Sequence, residues 1–447
     1  MPLFQNEFLK QEGWPIMTKR IVTVLLVLCI IIGLVPILSG CDSGNHFQAP
    51  DVYEDLPDTY VESADYPIGF NGGASGPFVA PTENGYYFLG GRHLYYMDKD
   101  SLSPQILCNR PECTHKTADC NALFFYEQAP FIQYYEGRLY VSGLALDSKE
   151  NQYVVLYEVS PDTGTRRVVC KLPYGLGSGS WGYMMHRGYL YMYHTDEANM
   201  YLERTALNQL SDDTEPELLY KLETIPIEAP MIYGDHIVLF DWIAVEDTYK
   251  GTLWDYNIKT ATCGQIPTPD SEEIAYCIPD SFFDENLLLR VVSQKDYKNA
   301  LVEGEKEIAS QMEYLSYNYT TKTVSDFAVI PSEGSLYSNL KYDGVHWIDF
   351  FTNNLTAYDE AVPEEQTVRL MNEDMTVEKS AAFAGAWTGV CAGDSEFSFI
   401  YYGRSATCKL DVVDKRDNNF EVKTVWERSE EDTKPGDSVD GWPLPRI

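Results

Sequence analysis

The chain has 447 residues and carries 33 lysines and arginines against 68 aspartates and glutamates, a net charge of −35. A surface of that sign repels phosphate backbones and argues against a nucleic-acid partner. Aromatic residues make up 13% of the chain, with 33 tyrosines, which is too rich for disorder and suits many short strands.

In chain order, Met17-Thr18-Lys19-Arg20 leads into an apolar run from Ile21 to Leu38, which ends at Leu38-Ser39-Gly40-Cys41. A positive start, an apolar middle and small residues before a cut are what a signal peptidase reads. With a cysteine directly after the cut, the segment resembles the signal peptide and lipobox of a bacterial lipoprotein. That resemblance implies removal of residues 1–40, with Met17 the expected true start, and lipidation (palmitate among the acyl groups) of Cys41. The rest of the chain would then be held by lipid at the extracytoplasmic face of the cell membrane, with the bilayer as its first partner. An uncleaved transmembrane anchor is the alternative, since the run is long enough to span; Pro36 and the small residues favour cleavage. The leader holds three basic and two acidic residues, so the remainder is one unit more negative than the whole chain.

Residues 41–75 are polar, acidic and broken by proline and glycine, and are expected to form a flexible tether. One pattern then returns seven times. Its turns are Asn84-Gly85, Glu136-Gly137, Arg187-Gly188, Gly234-Asp235, Asp284-Glu285, Asp343-Gly344 and Gly393-Asp394, separated by 52, 51, 47, 50, 59 and 50 residues. Such pairs between strand-like runs are hairpin signals, because the turns need positive φ. A second strand recurs as Leu94–Asp98, Val155–Val159, Leu253–Asn257, Tyr314–Asn318, Val368–Asn372 and Lys409–Asp414. Two hairpins in every fifty residues make a four-stranded antiparallel sheet, and radial repetition buries both faces of each sheet. Residues 76–430 are therefore expected to be all-β, a β-propeller of seven four-stranded blades, with a polar tail at 431–447. Two β-sandwiches are the alternative architecture, which the regular turn spacing disfavours. One short helix is expected from Val302 to Leu315.

The blade core Leu94-Tyr95-Tyr96-Met97-Asp98, after Asn84-Gly85-Tyr86-Tyr87-Phe88, resembles the tyrosine-rich units of bacterial lipoprotein propellers. These belong to uncharacterised extracytoplasmic lipoproteins of Gram-positive bacteria and are distantly similar to the low-density-lipoprotein-receptor type (YWTD) propellers. The resemblance implies binding of proteins, peptides or glycans, and no catalysis.

Ten cysteines are present; Cys29 falls in the leader and Cys41 is the lipid site. The densest group is Cys108-Asn-Arg-Pro-Glu-Cys113-Thr-His115-Lys-Thr-Ala-Asp-Cys120. Three thiols and an imidazole at this spacing would suit a structural zinc ion. A disulfide, such as Cys108 or Cys113 with Cys120, and reduced thiols are the other readings, and export favours oxidation. Cys391 with Cys408, and Cys263 with Cys277, are candidate disulfides across strand-like runs. Cys170 would pair with the odd member of the first group or stay buried. The dense group is similar to a segment after the first blade in lipoproteins of Gram-positive anaerobes, a likeness that implies no activity.

Ser160-Pro-Asp162-Thr-Gly164 matches only the front of the Asp-box of sialidase-type propellers and reads as an ordinary turn. His93, His186, His236 and His346 lie near blade turns, but their register is inconsistent with convergence on a metal. Trp181, Trp242, Trp347 and Trp387 fall near blade entries, where ring faces would hold a sugar or peptide side chain, or would pack between blades. The chain has no phosphate loop, no Gly-x-Ser-x-Gly elbow and no His-Glu-x-x-His, so no catalytic residue is named and no cofactor is expected, a structural zinc in the dense cysteine group being the alternative to a disulfide there. The expected function is a binding or scaffolding module for a protein, peptide or envelope glycan. The alternative is a glycan-active hydrolase or lyase, which needs a carboxylate pair across a cleft.

Overall fold

The computed structural model describes residues 56–59, 61, 65, 78–117, 119–125, 131–174, 181–224, 229–245, 248–269, 271–297, 311–331, 337–352, 366–384, 389–402, 409–416, 420–428 and 444–445. The leader, its apolar run and Cys41 lie outside the described residues, as do Trp387 and Cys408. No helix among the described residues is long and apolar enough to cross a membrane.

Seven four-stranded antiparallel sheets follow one another at 79–106, 132–171, 181–222, 231–265, 274–331, 337–383 and 389–427, each in simple up-and-down order. They form a ring, a seven-bladed β-propeller. The burial of each strand explains its composition. Second strands such as Gly85–Gly90 (GYYFLG) and Phe397–Tyr402 (FSFIYY) are buried at every position, because neighbouring blades cover both sheet faces. Fourth strands such as Thr323–Pro331 and Glu421–Glu427 are largely exposed and correspondingly polar.

All seven turn pairs named above join the first and second strands of a blade. Glu136 and Gly137 have φ of 48° and 76°, and Arg187 and Gly188 of 44° and 83°. These are the paired positive values that a tight two-residue hairpin turn requires. The six recurring second-strand segments are the third strands of their blades. Where such a segment ends in Asp or Asn, that side chain can fold the next turn: Asp98 Oδ1 accepts the Asp100 and Ser101 amides, both at 3.0 Å. Asn257 Oδ1 accepts those of Lys259 and Thr260 at 3.1 and 2.9 Å. Such side-chain acceptors replace a backbone turn bond.

Apolar layers join consecutive blades, and the ring closes the same way. Phe78, Tyr86, Phe88 and Met97 of blade 1 pack with Phe397, Phe399, Leu410 and Val412 of blade 7. Phe78 stacks on Tyr401 at 4.2 Å between centroids. Among the described residues each of the two blades keeps its own four strands, so side chains make this closure, chiefly through burial at roughly 25 cal/mol per Å² of apolar surface. Polar side chains add inter-blade stitches: the Gln133 amide donates to Met185 O at 2.7 Å and accepts from Met185 N at 2.8 Å.

Three expectations need correction. Gln311–Asn318 is the third strand of blade 5, so the helix expected over 302–315 does not extend through its last residues. Met312 and Tyr314, two residues apart, share one buried face of that strand, a period-2 spacing that a helix would place on opposite sides. A short helix, Gln294–Tyr297, precedes the segment. Within the expected tether, Asp65 is buried against Arg187 of blade 3. Within the expected polar tail, Leu444 packs into the apolar core that blades 1 to 3 share, and the Leu146 amide donates to Pro445 O at 2.9 Å.

Candidate functional site

The cysteine-rich segment lies in the connection from the fourth strand of blade 1 (Pro104–Ile106) to the first strand of blade 2 (Ile132–Tyr135). Leu107 N donates to Leu94 O, so the segment leaves along the third strand of blade 1. Tight turns follow, in which Cys113 N donates to Arg110 O at 3.0 Å and Cys120 N to Thr117 O at 2.9 Å. The segment then returns between the blades. Ala122 O accepts from Leu94 N and Phe124 N donates to Arg92 O, while Leu144 N of blade 2 donates to Phe125 O. Phe124 and Phe125 are buried in the core that blades 1 and 2 share.

This path brings the Cys108, Cys113 and Cys120 sulfurs and a His115 ring nitrogen all within 4.8 Å of one another. His115 Nδ1 lies 3.5 Å from Cys120 Sγ, and the His115 amide donates to Cys113 Sγ at 3.4 Å. That amide holds the Cys113 thiol below its ordinary pKa, whereas burial pushes Cys120 up to about 12. Arg110 and Asp119, within the same segment, pair at 2.6 Å. His93 Nε2 lies 2.7 Å from His115 O and fastens the turn to blade 1. His93 was legible only as a blade-entry histidine; its contact with His115 depends on how the segment folds back.

All seven cysteines among the described residues are free thiols. The expected Cys263–Cys277 pair is not formed, because Cys263 sits on the outer strand of blade 4 (Thr262–Gln265) and Cys277 on the inner strand of blade 5 (Ile274–Phe283). Cys391 is likewise free, and its expected partner Cys408 lies outside the described residues. Cys170 is buried and unpaired, with its pKa raised to about 12 by burial.

The candidate aromatics do not assemble. Trp181 opens a first strand and Trp347 a second strand, so antiparallel order puts them at opposite ends of their blades. Trp181 is buried against Tyr183, and Trp347 packs among Phe283, Phe327 and Tyr342 between blades 5 and 6. Trp242 lies on the second strand of blade 4 opposite Gly251. Ser160 to Gly164 is a simple turn, with Gly164 at φ 61°.

Nor do the four histidines converge. His186 Nε2 reaches Gly234 O at 2.6 Å, His236 Nδ1 reaches Asp255 at 2.8 Å, and His346 Nδ1 reaches Asp343 at 3.3 Å. His186 is fully buried, and burial pulls its pKa from 6.5 down to about 4. Its Nδ1 has no hydrogen-bond partner among the described residues, so a second ring proton would be unsatisfied. The folded pKa is below the unfolded one, so stability is complete above pH 6.5 and declines as pH falls toward 4. The loss from this group approaches about 3 kcal/mol. Urea midpoints measured across that window should fall in the parent and fall less in His186→Gln; parallel curves would remove His186 as the cause.

No family model matches the chain, and no curated protein matches it. Among solved structures it is similar to an oligogalacturonate lyase from Vibrio parahaemolyticus, at 11% identity and TM-score 0.46, over 80% of this chain and 92% of that one. It is similar to the tricorn protease at 12% identity and TM-score 0.45, over 82% of this chain, and spans 35% of that protein's length. It is similar to the Dos1 propeller at 12% identity and TM-score 0.36, over 81% of this chain and 87% of that one. These are distant neighbours.

Proposed function

We propose that this chain is an extracytoplasmic lipoprotein whose propeller serves as a binding or scaffolding module for a protein, peptide or envelope glycan. The observation that carries the reading is Lys19-Arg20, the apolar run from Ile21 to Leu38 and Leu38-Ser39-Gly40-Cys41, the layout that export and lipidation require. A ring of rigid blades supports the binding role, because it presents connecting loops on a scaffold that does not deform. The strongly negative charge favours cationic or neutral partners over nucleic acid.

The test is the intact mass of the full chain extracted in detergent from a bacterial host. The expected product begins at Cys41 and carries a diacylglyceryl group, and Cys41→Ala leaves an uncut, unlipidated precursor. A product that keeps residues 1–40 in the parent overturns the anchor. Binding and turnover by the same preparation on panels of envelope glycans and peptides then separate the two functional classes. Retention without cleavage supports a binding module, and cleavage of a glycan overturns it.

A further inference from the structure

We propose that Cys108, Cys113, His115 and Cys120 bind one zinc ion, and that this ion fastens the crossover between blades 1 and 2. The inference is independent of the anchor and of any ligand of the propeller.

Distances carry it first. A tetrahedral zinc with zinc–sulfur bonds of about 2.3 Å and a zinc–nitrogen bond of about 2.0 Å sets its donors about 3.5 to 3.8 Å apart. The four donor atoms here all lie within 4.8 Å of one another, and His115 Nδ1 stands 3.5 Å from Cys120 Sγ. A disulfide would take two of the three sulfurs and leave a thiol and an imidazole crowded against it. A metal ion engages all four.

Donor chemistry selects the ion. Three soft sulfurs and one imidazole exclude calcium and magnesium, which take oxygen, and suit zinc in a closed structural site. The donors are also too close together to enclose an iron–sulfur cluster, whose cysteines surround several irons.

The surrounding shell is built as metal sites require. Cys113 Sγ accepts the His115 amide at 3.4 Å. His115 O is held by His93 Nε2. Three thiolates around a dication leave one net negative charge, and the Arg110 guanidinium stands next to it. His115 itself sits at φ 58°, a backbone state rare for a residue with a side chain. The turn that imposes it aims the ring at Cys120.

The consequence is mechanical. The four ligands hold the start and the return of the crossover together, and the return delivers Leu123, Phe124 and Phe125 to the joint between blades 1 and 2. Because protein ligands fill every position, the ion is structural and no water is activated on it.

The test uses the full chain purified in detergent without chelators. Elemental analysis should give one zinc per chain, and alkylation of Cys108, Cys113 and Cys120 should require prior chelation. Replacing zinc with cobalt should give thiolate-to-cobalt charge-transfer absorption and the visible bands of a tetrahedral ion. Cys113→Ser should lose the zinc, His115→Cys should keep it with an altered cobalt spectrum, and Cys170→Ser should keep it unchanged. The parent protein decides the matter even where Cys113→Ser fails to fold. A parent that holds no zinc and takes up neither zinc nor cobalt when reduced, or whose mass and peptide map show a disulfide among these cysteines, overturns the proposal.

Discussion

Replacing Arg187 with alanine is expected to destabilise the propeller by about 3–5 kcal/mol, the usual cost of stripping one partner from a buried ionic network. Arg187 is the first residue of the turn after the inner strand of blade 3, and its side chain is buried. Its Nε and Nη2 donate to the two Asp65 oxygens at 2.8 and 2.6 Å, and Nη1 donates to Asp235 Oδ1 at 2.8 Å. Two further bonds reach Pro57 O and Thr59 O at 3.0 and 3.1 Å. The side chains of Arg187, Asp65 and Asp235 are 4%, 1% and 8% exposed, so solvent cannot compensate for a missing guanidinium. Burial raises the Asp235 pKa even with Arg187 in place. Arg187→Lys should recover only part of the loss, because an ammonium cannot make the forked, planar set of bonds. Urea unfolding gives the magnitude, and limited proteolysis near residues 56–65 reports whether the N-terminal segment has come away. An unchanged midpoint in Arg187→Ala would mean that the network contributes no net stability.

That network also marks where sequence reading stops. Asp65 and Arg187 are 122 residues apart, and Asp65 is one of the chain's 68 acidic residues and falls in a stretch that reads as polar linker. Nothing local distinguishes a carboxylate that will be buried. The blade turns were legible for the opposite reason: positive φ at Gly137 or Gly188 is a requirement of the turn itself and selects its residues directly. The third strand of blade 3, Met200–Ala206, escaped the pattern because it runs into a 3-10 turn at Leu207–Gln209 and needs no terminal Asp or Asn. Fourth strands carried little signal because they are the exposed edge of each blade. In the cysteine cluster the spacing pointed to the four donors, since all lie in one short segment. The clamp from His93 to the His115 carbonyl depends on tertiary structure and has no signature in spacing.

Two lysines that repeat one contact in different surroundings should respond very differently to removal. Lys415, just after the third strand of blade 7, reaches back to Asp343 in the first turn of blade 6, and also bonds Ser398 Oγ at 2.9 Å. Lys99, just after the third strand of blade 1, reaches back to Asp394 in the first turn of blade 7 at 2.8 Å. Both tie a blade to the one before it. The Lys415 and Asp343 side chains are completely buried, whereas those of Lys99 and Asp394 are 22% and 26% exposed. Lys415→Met should therefore cost about 3–5 kcal/mol, because the Asp343 charge is left buried with its cation gone. Lys99→Met should cost no more than about 1 kcal/mol, as water and the Tyr86 hydroxyl at 2.7 Å still serve Asp394. Asp343 Oδ1 also accepts the Val345 and His346 amides at 2.8 and 2.6 Å, a turn role that asparagine keeps without the charge. Adding Asp343→Asn to Lys415→Met should then recover a large part of the loss, a coupling that a double-mutant cycle measures directly. If the double variant is no more stable than Lys415→Met alone, the damage lies in packing around the lysine stem and not in the stranded carboxylate.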